Sequence, residues 1–113
     1  MSHSPELLKG TLKTIVLKLL SDHKRLYGYE ITQKVKELTS EKILITEGAL
    51  YPVLHSLEAA ELVSTEIEYI GKRMRKHYKL SPKGRAMAKQ KVNEVASFIE
   101  SLTTLLNLKT KLA

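Results

Sequence analysis

LVSTEIEYIGKRMRKHYKL, from Leu62 to Leu80, changes the rhythm of the chain. Val63, Thr65, Ile67 and Tyr69 alternate with Ser64, Glu66 and Glu68, the period of a half-buried strand. Gly71 places a turn, and Met74–Leu80 reads as the returning strand. Folding about Gly71 sets Val63 opposite Leu80, Thr65 opposite Tyr78 and Ile67 opposite Lys76 on one face. Glu68 then meets Arg75 on the other, so acid faces base across the strands. The hairpin also leads into the most basic part of the chain. Tyr69 to Arg85 holds seven Lys or Arg and no acid, while the remainder balances 12 basic against 12 acidic residues, so the net charge of +7 resides here. One cationic projection on a balanced body suggests a docking element for a polyanion.

Three helices are expected ahead of the hairpin. Leu8, Leu12, Ile15, Val16, Leu19 and Leu20 follow a helical period over Glu6–Leu20, with Ser4 and Pro5 as cap and first-turn residues. The polar turn SDHKRLYG leads to a second helix over about Tyr29–Leu38, whose inward face is Ile31, Val35 and Leu38. Thr46 is an N-cap for a third helix reaching about Ala60, with Glu47 in the first turn and Leu50, Leu54 and Leu57 inward. Within it the Pro52 ring collides with the Gly48 carbonyl of a regular helix, so a loosened or tight first turn is expected. After the hairpin, Ser81 caps a last helix with Pro82 at its first position. Ala88, Val92, Val95, Ile99, Leu102 and Leu106 recur there at alternating spacings of four and three, widened by Phe98 and Leu105. Such a stripe is a seam for another helix, here a second copy of the chain, with helix 1 (Leu8, Leu12) sharing the interface.

Several functions lose support from composition. With no cysteine there is no disulfide framework, thiolate metal site or Cys nucleophile, and a reducing compartment, the cytoplasm, is expected. MSHSPELLKG has no basic-then-apolar leader pattern, and no apolar run approaches the roughly 20 residues of a membrane span. His3, His23, His55 and His77 lack metal-ligand spacing, so no metal and no cofactor is expected. Neither a nucleophile–base cluster nor a glycine-rich phosphate loop is visible, and catalysis has no support.

Three helices and a basic hairpin followed by a long helix give a mainly α chain with a β-hairpin. This is a winged helix-turn-helix over residues 1–80 and a dimerisation helix over residues 81–113. The segments LLKGTLKTIVLKLL, YGYEI, EGALYPVLHSLEAAELV and RMRKHYKLSPKG carry the resemblance further. In order and spacing, from Leu7 to Arg85, they resemble the PadR family of bacterial transcriptional regulators, in its shorter subgroup with a single C-terminal dimerisation helix. One position departs: where the family usually has glycine near the end of the recognition helix, this chain has Glu61. A side chain in a left-handed cap costs about 1 kcal/mol, so the strain is tolerated or the helix ends differently.

The resemblance implies that TEGALYPVLHSLEAA is the recognition helix, entering the major groove of double-stranded DNA. Thr46 starts it, and Glu47, Gly48, Ala49, Tyr51 and His55 are the positions left exposed once the leucines are buried. Of Tyr27 and Tyr29, one is expected in the core and the other at a phosphate, Tyr27 being the exposed choice. In the wing, Lys72, Arg73 and Lys76 have no acid in reach and are the three expected phosphate contacts, while Arg75, partly neutralised by Glu68, completes the expected DNA-binding set. A repressor on a pseudo-palindromic operator follows from the resemblance, as does a small-molecule effector, since several members sense phenolic acids or planar drugs near the dimer interface. With no Trp and one Phe, the composition does not support a Trp-lined drug pocket. Two rivals stand beside this reading, an effector-independent nucleic-acid-binding adaptor and a protein-partner module.

Overall fold

A computed structural model describes residues 5–109. The order is α1 (Pro5–Asp22), β1 (Leu26–Tyr27), α2 (Gly28–Leu38), α3 (Glu47–Ala59), β2 (Val63–Ile70), β3 (Arg73–Leu80) and α4 (Pro82–Leu105). The hairpin has the register expected from alternation, including Val63↔Leu80, Thr65↔Tyr78, Ile67↔Lys76 and Glu68↔Arg75. Gly71 turns it at φ +63, a conformation that disfavours any side chain.

Part of the polar turn after α1 is a strand. Leu26 and Tyr27 pair antiparallel with Tyr78 and His77, so the sheet has three strands in the order β1-β3-β2. Two residues are too few for alternation to show, and it is the pairing with β3 that makes them a strand.

The core collects Leu12, Val16, Leu17, Leu19 and Leu20 of α1, Ile31 and Val35 of α2, and Leu50, Leu54 and Leu57 of α3, closed by Leu62, Val63, Tyr78 and Leu80 of the hairpin. Leu38, expected inward, is 73% exposed because α2 ends there and the chain turns away through Thr39. Pro52 is accommodated without a separate loosened turn. α3 is helical from Glu47, and the tightness reduces to the Ala49 N–H reaching the Thr46 carbonyl at 3.2 Å. The expected cap at Ser4, like His3, lies outside the described residues.

Glu61 takes the strained option: its φ is +60. The Leu62 N–H donates to Leu57 O at 2.9 Å and the Glu61 N–H to Glu58 O at 3.0 Å, the paired closure of a Schellman motif, with Leu57 and Leu62 both buried across it. From there the chain enters β2 and returns to Ser81, whose hydroxyl accepts from the Gly84 N–H at 3.0 Å and donates to Glu61 O at 2.8 Å. α4 thus starts against the end of α3. Gly84 is required there, because a Cβ would overlap the Leu62 carbonyl oxygen.

α4 packs along α1 through its first half. Gly84 and Ala88 are buried, Val92 and Val95 half-buried, while Phe98, Ile99, Leu105 and Leu106 are exposed. Regular helix stops at Leu105, and Asn107 beyond it takes φ +54. Leu12 was expected at the dimer seam, but at 6% exposure it belongs to this chain's own core; Leu8 remains half-buried at the surface.

Candidate nucleic-acid interface

α3 is anchored on one side and bare on the other. Leu50, Leu54 and Leu57 are fully buried, and the Ala49 N–H donates to Thr46 Oγ1 at 3.1 Å, holding the first turn. Gly48, Tyr51, Pro52, His55 and Ser56 are exposed. A Cβ on Gly48 would meet only Thr46 Oγ1, at 4.0 Å, so packing within the chain does not demand glycine there. Glu47 is exposed in the first turn, where its charge suits the helix N-terminus. Ala49 turns away from Tyr51 and His55. It lines a hollow with Leu8, Leu12 and Val53, between α1 and α3.

Tyr51 links α3 to the sheet side. It lies over Gly28, the first residue of α2, and stands 6.5 Å ring to ring from His55. The two tyrosines flanking Gly28 have exposures opposite to those expected: Tyr29 is 56% exposed, while Tyr27 is half-buried with its ring edge against His77. The pairing of β1 with β3 explains this, because it directs Tyr27 onto the sheet. Tyr27, Tyr29, Tyr51 and His55 share a concave cleft of about 510 Å³ with Arg73 and Arg75 of the wing.

The wing's charges divide into paired and free. Lys76 has an acid in reach after all, Glu58 of α3, at 3.2 Å; the hairpin register gave no view of a partner 18 positions back in the chain. Arg75 does not pair with Glu68 but lies over the Tyr27 ring, 4.2 Å from its centroid. Glu68 is engaged by Arg25, whose guanidinium donates to Glu68 at 2.7 Å and to Glu66 at 2.9 Å. The bond it donates to Glu66, then that to Glu68, holds the Arg25 guanidinium above its ordinary pKa. By engaging both acids of β2, Arg25 leaves the tip's positive charge unopposed. Lys72 and Arg73 make no ion pair among the described residues and are exposed. Beneath the cleft, burial pushes the Tyr78 phenol up, with nearby Lys76 acting in the opposite direction.

Sequence reasoning passed over Arg25 and the exposed positions Pro52 and Ser56. The last two lie opposite Leu50, Leu54 and Leu57 on a helical wheel, so that signal was present. Arg25 acts on residues 41 and 43 positions away, and only the third strand reveals it.

Among the described residues, no group of three or more His, Cys, Asp or Glu could hold a metal, and no helix is long and apolar enough to cross a membrane. A basic hairpin beside an exposed helix on a helix-turn-helix scaffold is the setting in which likeness to known proteins becomes informative. The model of the transcriptional regulator PadR-like family matches residues 16–90. The chain belongs to this PadR-like family. Transcriptional regulator Rv3488 of Mycobacterium tuberculosis is 32% identical over 81 residues, 72% of each chain. A transcriptional regulator from Clostridium thermocellum superposes with TM-score 0.79 at 28% identity, over 90% of this chain and 96% of that one. Bacillus subtilis PadR, solved in complex with operator DNA, superposes with TM-score 0.64 at 26% identity, over 71% of this chain and 46% of that one. As a PadR-like protein the chain is a DNA-binding transcriptional regulator, and its winged-helix fold with a C-terminal helix is the one expected from the sequence.

Proposed function

We propose that this PadR-like protein is a cytoplasmic homodimer that represses transcription from a pseudo-palindromic operator and is released by a small-molecule effector. The observation that carries the reading is the shared concavity: exposed Tyr51 and His55 of α3 open onto the same cleft as Arg73 of the wing. In this arrangement Gly48, Tyr51, Pro52, His55 and Ser56 read base edges. Lys72 and Arg73, with Tyr29, hold phosphates that fix register. Glu47 and Thr46 serve the helix start, and Lys76, tied to Glu58, positions the wing more than it meets DNA.

Dimerisation is supported by α4, whose Phe98, Ile99, Leu105 and Leu106 are 62%, 45%, 79% and 57% exposed on one chain. With half-buried Val92, Val95 and Leu102 they form a stripe longer than α1 covers. Effector release has a candidate route. The hollow of about 410 Å³ lined by Leu8, Leu12, Ala49 and Val53 joins α1 to α3, and a ligand there bears directly on the reading helix.

Selection of bound sequences from random duplexes tests the function. The expected product is an inverted repeat whose half-sites lie about one helical turn, or a multiple, apart. A single asymmetric site, or binding without preference, contradicts the proposal and favours the adaptor; no binding to duplex DNA favours the partner module.

A further inference from the structure

Arg75 has a cross-strand partner that it does not use. Glu68 stands directly opposite it in the hairpin, and an acid and a base so placed ordinarily pair. Instead the Arg75 guanidinium lies 4.2 Å from the centroid of the Tyr27 ring and lines the cleft shared by Tyr51 and His55. The cause lies outside the hairpin. Glu68 accepts from Arg25 at 2.7 Å, and Glu66, two residues earlier and on the same face, accepts from the same guanidinium at 2.9 Å. Arg25 immediately precedes β1, whose Tyr27 is the seat of Arg75. One short segment therefore both removes the competing acid and supplies the alternative contact. A guanidinium stacked on a ring keeps its N–H edge free for a phosphate, whereas one closed on a carboxylate does not. Arg25 itself has no charge to offer a polyanion, because one cation between two carboxylates leaves the trio negative.

We propose that Arg25 is a positioning residue for DNA binding that acts without touching DNA: by holding Glu66 and Glu68 it keeps Arg75 out of its cross-strand pair and presents that guanidinium to a phosphate beside the cleft. The inference rests on the reading of the wing as a DNA contact, and adds to it a residue 41 and 43 positions away from the acids it controls. The side chains of these ion pairs are between 36% and 48% exposed, so the pairs contribute little to stability. Their loss is felt in binding far more than in folding.

Affinity for a selected operator duplex, measured against salt, tests this in wild type, Arg25→Ala, Arg75→Ala and the two combined. Arg75→Ala removes one phosphate contact per subunit, so the slope of log affinity against log salt should flatten by about 2 for a dimer. Arg25→Ala frees Glu68 to close on Arg75 and should flatten the slope by the same amount, with thermal unfolding nearly unchanged. The combined variant should lose nothing further, because both changes remove the same contact. Arg25→Ala/Glu68→Gln, in which no carboxylate faces Arg75 across the strands, should recover the wild-type slope. Additive losses in the combined variant overturn the proposal, since Arg25 would then act on DNA through its own charge. An Arg25→Ala chain with the wild-type slope also overturns it; the freed Glu68 would then have turned to His77, whose Nε2 stands 3.5 Å from it. So does a loss that Glu68→Gln leaves in place. Failure of the underlying reading looks different, because a wing that meets no phosphate leaves the slope unchanged in Arg75→Ala as well.

Discussion

The Tyr51 hydroxyl lies so close over the backbone of Gly28 that a Cβ at Gly28 would stand 2.6 Å from it. This contact joins the start of α2 to the exposed side of α3, and it makes glycine a positioning requirement for a side chain that faces the cleft. Gly28→Ala separates stability from binding. The obstructing atom is the far end of a side chain, so the fold can yield by swinging Tyr51 aside, and alanine is otherwise the better helix residue by up to about 1 kcal/mol. Thermal unfolding should shift little while operator affinity falls severalfold. Unchanged affinity would show that the place of Tyr51 is immaterial to recognition.

Glu61 holds a left-handed conformation that costs a side chain about 1 kcal/mol. Glu61→Gly keeps the Leu62-to-Leu57 and Glu61-to-Glu58 bonds and removes that strain. Denaturant titration should show stability raised by about 0.5–1 kcal/mol, with DNA affinity unaltered. Loss of stability would mean the Glu61 side chain contributes more than its backbone costs.

Gly84→Ala is expected to act in the opposite direction. Its methyl would overlap the Leu62 carbonyl, which also accepts from the Ser81 N–H at 3.0 Å, so neither backbone can move without breaking the start of α4. Overpacking of this kind costs about 1–3 kcal/mol, visible in the same titration. A variant as stable as the parent would contradict the close approach of α4 to the end of α3.

The exposed half of α4 predicts its own assay. Burying Ile99 or Leu102 between subunits is worth about 1.5–3 kcal/mol each, so Ile99→Lys combined with Leu102→Lys should give a folded monomer by light scattering. A double variant that is folded and still dimeric removes α4 from the interface.

How much of this was legible in the sequence depends on the range of the interaction concerned. The hairpin register followed from period-two alternation about Gly71, and the inward face of α3 from three leucines at helical spacing, because both are local patterns. The unexpected features are tertiary. β1 is a strand only because β3 lies beside it, and that pairing reverses the exposures assigned to Tyr27 and Tyr29. Lys76 meets Glu58, and Arg25 takes Glu68 from Arg75, across turns that the sequence orders but does not aim. Leu12 looked like one more member of a stripe shared with a partner, yet α1 rotates it into the chain's own core.

The central claim is a division of labour: the wing tip binds phosphates, and α3 reads bases. Operator affinity measured as a function of salt separates the two most directly, in wild type, in Lys72→Ala/Arg73→Ala and in His55→Ala. Removing two cations from each subunit of a dimer takes away up to about four phosphate contacts, so the slope of log affinity against log salt should flatten by about 3 to 4. Binding should weaken alike on all sequences. His55→Ala should leave the slope in place and relax discrimination at particular operator positions. A wing double variant with the slope and affinity of wild type would contradict the account, and the positive charge from Tyr69 to Arg85 would then be a solvated surface.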